Sequence, residues 1–179
     1  MKKIIVTLFL AAFLFVGNVA ADSVGDGYEA GGVQFGGYAS YYNSFNGYQS
    51  LSVNPYLNFF VANGVSVGIN GNFNIEDWAD YSFGFGGDLA YSLVMDPSAA
   101  SGFVMDMGLS VGYRNGNTFS GYVYTYPYIR AKYHMTPTIA PYLYLTAVTL
   151  NFNPNVYVST YLNIGIGVSF IMPTRDKTL

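Results

Sequence analysis

The sequence predicts an all-β protein, an eight-stranded antiparallel up-and-down transmembrane β-barrel, on three observations. The chain has 179 residues and is 51% hydrophobic but only 9% charged, whereas soluble domains carry about 25% charged residues. From residue 31 onward apolar and polar residues alternate with a period of two, which is the period of a β-strand. The alternating segments approach or exceed the ~9–11 residues that a tilted strand needs to cross a membrane.

Residues 1–21 are predicted to be a cleaved signal peptide. A basic head at Lys2 and Lys3 precedes an apolar run over 4–16, which is shorter than the ~20 residues of a membrane-spanning helix. Val19 and Ala21 fit the small-x-small rule, so we expect cleavage after Ala21. No later apolar run reaches a helix-spanning length, and residues 22–30 are expected to form a short periplasmic segment.

Residues 22–179 carry five basic and ten acidic residues, a formal net charge of −5. A nucleic-acid-binding protein needs a basic face, so we expect no nucleic-acid partner. The chain has no cysteine, which excludes disulfides and thiol-ligated metal. We expect neither a metal nor a cofactor.

The first four predicted strands lie between residues 33 and 93. Segment 33–41 sets Val, Phe, Ala and Tyr against Gln, Gly, Tyr and Ser. Segment 50–61 sets Leu, Val, Pro and Phe against Ser, Asn and Tyr, and ends at an Asn63-Gly64 hairpin turn. Segment 65–74 sets Val, Ile and Phe against Ser, Gly and Asn, and segment 81–93 sets Tyr, Phe and Leu against Ser, Gly and Asp.

The last four predicted strands follow an Asp-Pro-Ser turn at 96–98. Segment 103–113 sets Phe, Met, Leu and Val against Val, Asp, Gly and Ser, and segment 122–133 carries four tyrosines, an arginine and a lysine on its polar parity. Segments 139–147 and 158–170 complete a barrel over 31–170. A proline in a strand removes a ladder hydrogen bond. We therefore expect bulges or broken pairing at the three Pro-Tyr positions, Pro55, Pro127 and Pro141.

A soluble sandwich or lipocalin-like calyx would also alternate, but two features favour a membrane barrel. The polar parity is small and uncharged, as suits a crowded lumen, and aromatic residues gather at the segment ends as two girdles. The inner girdle is predicted at Phe35, Phe59, Tyr91, Phe103, Tyr133 and Phe170, and the outer one at Tyr41, Phe73, Tyr81 and Tyr113. The outer connections are predicted at 43–49, 75–80, 114–121 and 151–156, and the inner ones at 62–64, 95–101 and 136–138.

The last segment resembles the C-terminal insertion signal of the bacterial outer-membrane protein β-barrel family, the small porin-like barrels related to the transmembrane domain of outer membrane protein A. Asn163, Gly165, Val168 and Phe170 match its polar, glycine, apolar and aromatic positions. The resemblance implies insertion by the barrel assembly machinery into the outer membrane of a Gram-negative-type bacterium, with outer-membrane lipid as the other partner. Family members often end on the aromatic residue, whereas here a tail over 171–179 follows, expected in the periplasm.

Looser similarity to the family covers two further stretches. Residues 54–64 look like its strand followed by a tight turn, and residues 126–133 look like its Pro-aromatic-x-Arg-x-x-Tyr strand. Most of the resemblance is pattern, so it indicates class and location and leaves the activity open. We expect a monomer.

Charged residues on the lumen parity form the main candidate site: Asp88, Asp106 and Arg130, with Lys132 one step nearer the periplasm. Reflecting the strands about their turns predicts Asp88 opposite Asp106, and Asp106 opposite Arg130. Such a cluster can be an ion path or a proton-linked gate. We favour a salt-bridged plug, because buried charge must be paired and an eight-stranded lumen is just filled by side chains.

Enzymatic alternatives lack the residues they need. A carboxylate pair suits glycoside hydrolysis only in a cleft. Barrels resembling lipid A deacylases need a Ser-His-acid set near the outer rim, whereas the single histidine, His134, lies at the inner end. Glu76, Asp77 and Asp80 suit a solvated acidic loop better than a Ca²⁺ site.

The predicted function is therefore a non-enzymatic outer-membrane barrel with an envelope-structural or narrow porin-like role and a lumen closed by side chains. The alternative is a surface-exposed adhesin or interaction barrel that acts through its outer loops. Its contact candidates are Tyr48 and Trp78.

Overall fold

The computed structural model describes residues 21–43, 49–153 and 155–173. A 3₁₀ helix (Gly25–Tyr28) precedes eight antiparallel strands that pair in chain order and close into a barrel where β8 meets β1. The predicted eight-stranded up-and-down barrel is confirmed. The strands are β1 (Val33–Asn43), β2 (Gln49–Ala62), β3 (Val65–Glu76), β4 (Asp80–Val94), β5 (Gly102–Gly116), β6 (Tyr122–His134), β7 (Ile139–Asn153) and β8 (Asn155–Met172).

The barrel buries polar side chains and exposes apolar ones. In β2, Tyr56 and Asn58 point into the lumen and are buried, while Phe59 and Val61 are exposed on the outer face. This inverts the usual distribution of a soluble protein and creates a continuous apolar outer surface. Its exposed members include Ile69, Phe85, Leu109, Ile129, Leu143 and Ile166.

Both predicted aromatic girdles are present on this outer surface. Exposed rings lie near the strand ends at Phe59, Tyr91, Phe103 and Tyr133 on the inner side and at Tyr41, Phe73, Tyr81 and Tyr113 on the outer side. Phe170 departs from the pattern, because it is buried and stacks on Phe35 with the ring centroids 5.2 Å apart. Within the described residues, no helix is long and apolar enough to span a membrane.

The strands run further toward the outer side than the sequence pattern indicates. β5 ends at Gly116, so the connection predicted at 114–121 shortens to 117–121. β7 and β8 are separated by a single position, whereas 151–156 had been predicted as a loop. The turn between β3 and β4 occupies only 77–79. At the end of β5 the alternation is lost, because Arg114, Asn115 and Gly116 are polar or small on both parities, whereas β7 and β8 continue it through Phe152 and Val156.

The three strand prolines behave differently. Pro127 lies where the β6–β7 register shifts, between Thr125 and Ile129, so the predicted irregularity occurs there. Pro55 interrupts the pairing of β2 with β3 without a register shift. Pro141 pairs regularly with Val168 of β8. On its other side the β6–β7 ladder has no pair beyond Lys132 and Tyr142, so the predicted broken pairing occurs there. Proline has no backbone N–H, so a strand tolerates it where the neighbouring strand has no carbonyl waiting for that hydrogen bond.

The inner mouth of the barrel is closed by the segment before β1. Val24 and Tyr28 are buried there with Phe60, Val104 and Ile171. The segment is held by backbone hydrogen bonds from Val24 N to the Ala99 carbonyl and from Gly64 N to the Tyr28 carbonyl. Residues 22–30 therefore pack into the mouth of the barrel. β8, which contributes Ile171 to the same cluster, continues two residues past the predicted barrel end at 170.

Candidate functional site in the barrel lumen

Adjacent strands deliver the four predicted charged residues into one buried cluster. Asp88 comes from β4, Asp106 from β5, and Arg130 and Lys132 from β6, all on the inward parity. Asp106 pairs directly with Arg130 across the β5–β6 ladder, as predicted. All four are buried, and Lys132 is 0% exposed.

The predicted pairing of Asp88 with Asp106 is wrong. The ladder pairs Asp88 with Ser110 and Asp106 with Ser92. The error arises at the inner turn, because the pair Val94 and Val104 centres it near residue 99 instead of 97–98. Arg130 is nevertheless long enough to reach both carboxylates.

The cluster pairs each charge with at least one opposite charge. Arg130 Nη2 lies 3.3 Å from Asp88 Oδ2, and its Nη1 lies 3.8 Å from Asp106 Oδ2. Lys132 Nζ forms a closer ion pair with the same Asp106 oxygen. Two acids and two bases leave the cluster with no net formal charge, which is the condition under which buried charge is tolerated.

A neutral donor also bonds to each of the two carboxylates. Asn70 Nδ2 donates to Asp88 Oδ1 at 2.7 Å, and Ser92 Oγ donates to Asp106 Oδ1 at 2.8 Å. These bonds fix the carboxylates against β3 and β4. A charge held by several directed bonds in a low-dielectric interior is rigid, because any displacement leaves a buried polar group unpaired.

Two tyrosine rings enclose the guanidinium of Arg130. Its Cζ lies 4.0 Å from the ring centroid of Tyr56 on β2 and 4.4 Å from that of Tyr128 on β6. A desolvated cation–π contact contributes about 2 kcal/mol. The rings and the ion pairs together place Arg130 across the lumen at mid-height.

Below the cluster, a hydrogen-bonded chain leads to the inner mouth. Lys132 Nζ donates to Tyr28 Oη at 3.4 Å, and Tyr28 Oη lies 2.9 Å from His134 Nε2. His134 Nδ1 lies 3.2 Å from the Thr136 carbonyl, which can only accept, so Nδ1 carries the proton and Nε2 accepts from Tyr28. Burial, followed by the negative charge of Asp106, holds the pKa of the Tyr28 hydroxyl well above its usual value.

Tyrosines fill the lumen beside and above Arg130 because glycines on neighbouring strands make room for them. Cβ atoms at these glycines would collide with tyrosine rings or hydroxyls, as Gly108 with Tyr128 and Gly112 with Tyr124 show. Covering a strand glycine with a cross-strand aromatic ring stabilises a sheet. The paired residues are Gly108 with Tyr128, Gly112 with Tyr124, Gly165 with Tyr144 and Gly167 with Tyr142.

The other predicted site residues lie outside this cluster. In β8, Asn163 pairs with Thr146, Gly165 packs inward against Tyr38, and Val168 pairs with Pro141. Phe170 completes that set at the inner rim. The β7–β8 register shifts between Thr146 and Val148, beside Asn163, and is regular from Asn163 to Phe170. These placements do not test whether assembly machinery reads the strand.

Trp78 is 67% exposed at the outer rim. It and Asp77 adopt left-handed φ angles of 58° and 47° in the three-residue turn, an unusual conformation for a bulky side chain. Trp78 Nε1 donates to Gln49 Oε1 at 2.9 Å. Tyr48 lies outside the described residues, as do residues 1–20 of the predicted signal peptide.

Sequence reasoning missed the partners that come from distant strands. Tyr56 and Tyr28 contact the cluster from β2 and from the N-terminal segment, and no pattern in the sequence relates them to β6. His134 lies at the inner end of β6, as predicted, and is buried there against Tyr28. Of the described residues, no group of three or more His, Cys, Asp or Glu converges as a metal site.

Comparisons with known proteins add little to this geometry. The sequence matches no protein-family model, and no curated protein matches it. The resemblance to the outer membrane protein A barrels therefore has no support from a family model. Among solved structures, one described as "De novo design of transmembrane beta-barrels" aligns at a TM-score of 0.47 and 13% identity, over 80% of this chain and 98% of that one. The fold assignment rests on the strand pairing itself.

Proposed function

We propose that the protein is a non-enzymatic barrel of a bacterial outer membrane with an envelope-structural role, whose lumen is closed to solutes. One observation carries the proposal: the buried cluster of Asp88, Asp106, Arg130 and Lys132 crosses the lumen and is flanked by tyrosine rings. The exposed apolar outer face and its two girdles support insertion in lipid.

The closed lumen favours a structural role over a narrow porin. A pore needs a continuous water path, whereas here ion pairs and rings occupy the mid-section and an apolar cluster occupies the inner mouth. Short outer turns, such as 77–79, also give the adhesin alternative little contact surface. Trp78 is its main described contact candidate.

Expression of the full chain in a Gram-negative host tests location and closure together. The proposal predicts recovery from the outer-membrane fraction, different gel migration before and after boiling, and no steady single-channel conductance in planar bilayers. The double variant Tyr56→Ala/Tyr128→Ala, which removes the rings around Arg130, should produce detectable openings. Tyr41→Ala, an outward tyrosine, is the matched control and should stay silent.

Each outcome bears on a separate part of the proposal. A soluble chain that never enters the membrane fraction would overturn the membrane barrel. Steady conductance of the unaltered protein would overturn the closed plug and establish the porin alternative. Closed channels in the double variant, with normal heat-modified migration, would show that the tyrosines around Arg130 do not seal the lumen.

A further inference from the structure

A groove of about 430 Å³ lies on the outer face of the barrel, where β8, β1 and β2 run side by side. On this face β1 presents Phe35, Gly37 and Ala39, so the centre of the strand has almost no side chain. Larger side chains of the two neighbouring strands form the walls of the groove: Val53 and Pro55 from β2, and Ile166 and Val168 from β8. The middle strand is therefore the floor of the groove.

The groove offers an occupant only apolar contacts. Of its described lining residues, Tyr38 alone carries a polar side chain, and that side chain is buried in the lumen, where it stacks on Tyr144. The backbone of the floor is paired on both sides, since β1 pairs with β2 and with β8 from Val33 to Ala39. A charged or hydroxylated ligand would find no partner on such a surface, whereas a hydrocarbon chain needs none.

The length and position of the groove fit one acyl chain of one leaflet. Phe35 and Ala39 are four residues apart, which is about 13 Å in a strand and about half of the ~25 Å apolar band of an outer-membrane barrel. The inner end lies at the stacked rings of Phe35 and Phe170, in the inner girdle. The outer end lies two residues before Tyr41 of the outer girdle. A chain that enters at the inner girdle and ends near mid-membrane belongs to the inner leaflet.

A second copy of the chain fits the groove less well than a lipid does. A stable protein interface involves about 20–30 residues on each side, whereas eleven described residues line the groove. A two-fold dimer also places the same patch on both partners, so two grooves would face each other and leave space between them. A flexible acyl chain fills a narrow groove without this mismatch.

We propose that the β8–β1–β2 groove is a site for one acyl chain of a phospholipid from the inner leaflet. The site rests on the membrane location given under the proposed function. In lipid, association is driven by packing, because lipid tails are as apolar as the protein surface. A chain in the groove touches side chains from three strands at once, so it makes more dispersion contacts than a chain on a convex part of the barrel. It also covers the seam where β8 meets β1.

Photolabelling of the folded full-length protein in vesicles tests the proposal. The vesicles contain phosphatidylethanolamine and phosphatidylglycerol, with a small fraction of phosphatidylethanolamine that carries a diazirine at the end of one acyl chain. Label located by peptide mass spectrometry should be at least about fivefold stronger around Ala39 than around Leu109, as expected from a modest packing preference. Leu109 is the reference because it is exposed midway along β5, away from the groove.

A second probe tests which leaflet supplies the chain. When the diazirine is moved next to the carboxyl group of the same acyl chain, the label should shift from Ala39 to Phe35 and Phe170 at the inner girdle. A chain from the outer leaflet would give the opposite order of the two probes along β1 and would overturn the assigned leaflet.

Ala39→Phe should remove the preference. Ala39 is exposed on the outer face, so the added ring fills the groove without entering the lumen, and label around residue 39 should fall to the level at Leu109. Ala131→Phe is the matched control, because Ala131 is also an exposed alanine on the outer parity of a strand but does not line the groove. It should label as the unaltered protein does, and heat-modified migration shows that both variants are folded.

Each remaining outcome separates the groove from the membrane location. Label spread evenly around a folded barrel would overturn the lipid site and leave the proposed outer-membrane role intact. Label on no strand at all would overturn the membrane barrel itself. A groove protected from label, together with a dimer captured by chemical cross-linking, would show that a second copy occupies it. Label lost in Ala39→Phe and kept in Ala131→Phe supports the proposal.

Discussion

Arg130 is the side chain on which the lumen cluster depends. It contacts carboxylates from two strands and aromatic rings from two strands. Asp106 has a second cation in Lys132, whereas Arg130 is the one described residue that forms an ion pair with Asp88. Loss of the guanidinium therefore affects the two carboxylates unequally, and Asp88 becomes the uncompensated charge.

Arg130→Met should destabilise the folded barrel by about 3–5 kcal/mol, because it leaves a buried carboxylate without its cation. Adding Asp88→Asn should restore a large part of this loss, since the amide needs no counter-charge and Asn70 can still bond to it. Urea unfolding in detergent micelles, followed by circular dichroism, measures both. A double variant no more stable than Arg130→Met would contradict the assigned ion pair.

The sequence alone predicted the charged residues of this site but not the tyrosines that contact them. Parity and turn reflection identified all four charged residues and paired Asp106 with Arg130, because alternation fixes the face and a short outer turn fixes the register. Asp88 was misplaced because the seven-residue inner turn is centred later than its Pro97 suggested. Tyr56 and Tyr28 were not assigned to the site, since contacts across a closed lumen depend on barrel curvature and strand tilt, which local pattern does not encode.

At the scale of the strand, the lumen is packed by tyrosine–glycine pairs. β5 presents Gly108 and Gly112 to Tyr128 and Tyr124 of β6. In β8, Gly167 makes room for Tyr142 of β7 and Gly165 for Tyr38 of β1. Without a Cβ on one strand, a large ring from the next lies flat across it. Glycine thus fills a packing role in these strands, in addition to any effect on curvature.

Gly108→Ala should destabilise the barrel by about 1–3 kcal/mol, because the new methyl group overlaps the Tyr128 ring and overpacks the lumen. Gly102→Ala is the matched control in the same strand, since a Cβ there has no atom within 4 Å. It should leave stability unchanged or raise it by up to about 1 kcal/mol through the unfolded state. Equal effects of the two substitutions in micelle unfolding experiments would refute the packing role.

The alternation of apolar and polar residues predicted every strand but did not predict how the inner mouth of the barrel closes. Residues 22–30 show no period of two, so nothing in them indicated that Val24 and Tyr28 are buried. Ile171 breaks the alternation of β8, because it places an apolar residue on the inward parity, and the sequence pattern therefore predicts the end of the strand at Phe170. In the structure, this inward-facing Ile171 packs in one cluster with Val24 and Tyr28 of the N-terminal segment.

Ile171→Ala should destabilise the protein by about 2–5 kcal/mol, as expected for a large-to-small change in a closed apolar cluster. Ile166→Ala, in the same strand but 73% exposed on the outer face, should cost less than about 1 kcal/mol in micelles. Limited proteolysis should also cut the N-terminal segment faster in the Ile171 variant. Unchanged protection and stability would show that the segment does not seal the mouth.

At the scale of the whole molecule, the exposed surface decides which solvent the barrel needs. Most large apolar side chains are on the outside, apart from the cluster at the inner mouth. The charge that the chain retains within the described strands is mostly turned inward or placed at rims. Because β1 pairs with β8, no strand edge is left open along the paired part of this seam. A sheet in lipid needs such closure, since the bilayer offers no hydrogen-bond partners for unpaired backbone groups. Low charge and high apolar content are consequences of this inverted arrangement.

A cation placed on the outer face should therefore cost stability according to its depth in the membrane. Leu109 lies at the midpoint of β5 and is exposed, so Leu109→Arg should destabilise the barrel in lipid vesicles by about 2–4 kcal/mol. Phe103→Arg, on the same face but at the inner girdle, should cost only about 0–1 kcal/mol, because its side chain reaches the interface. Unfolding in vesicles measures the difference. Equal costs at both depths, or a Leu109→Arg protein that stays folded in water without lipid, would mean that this surface does not face a bilayer.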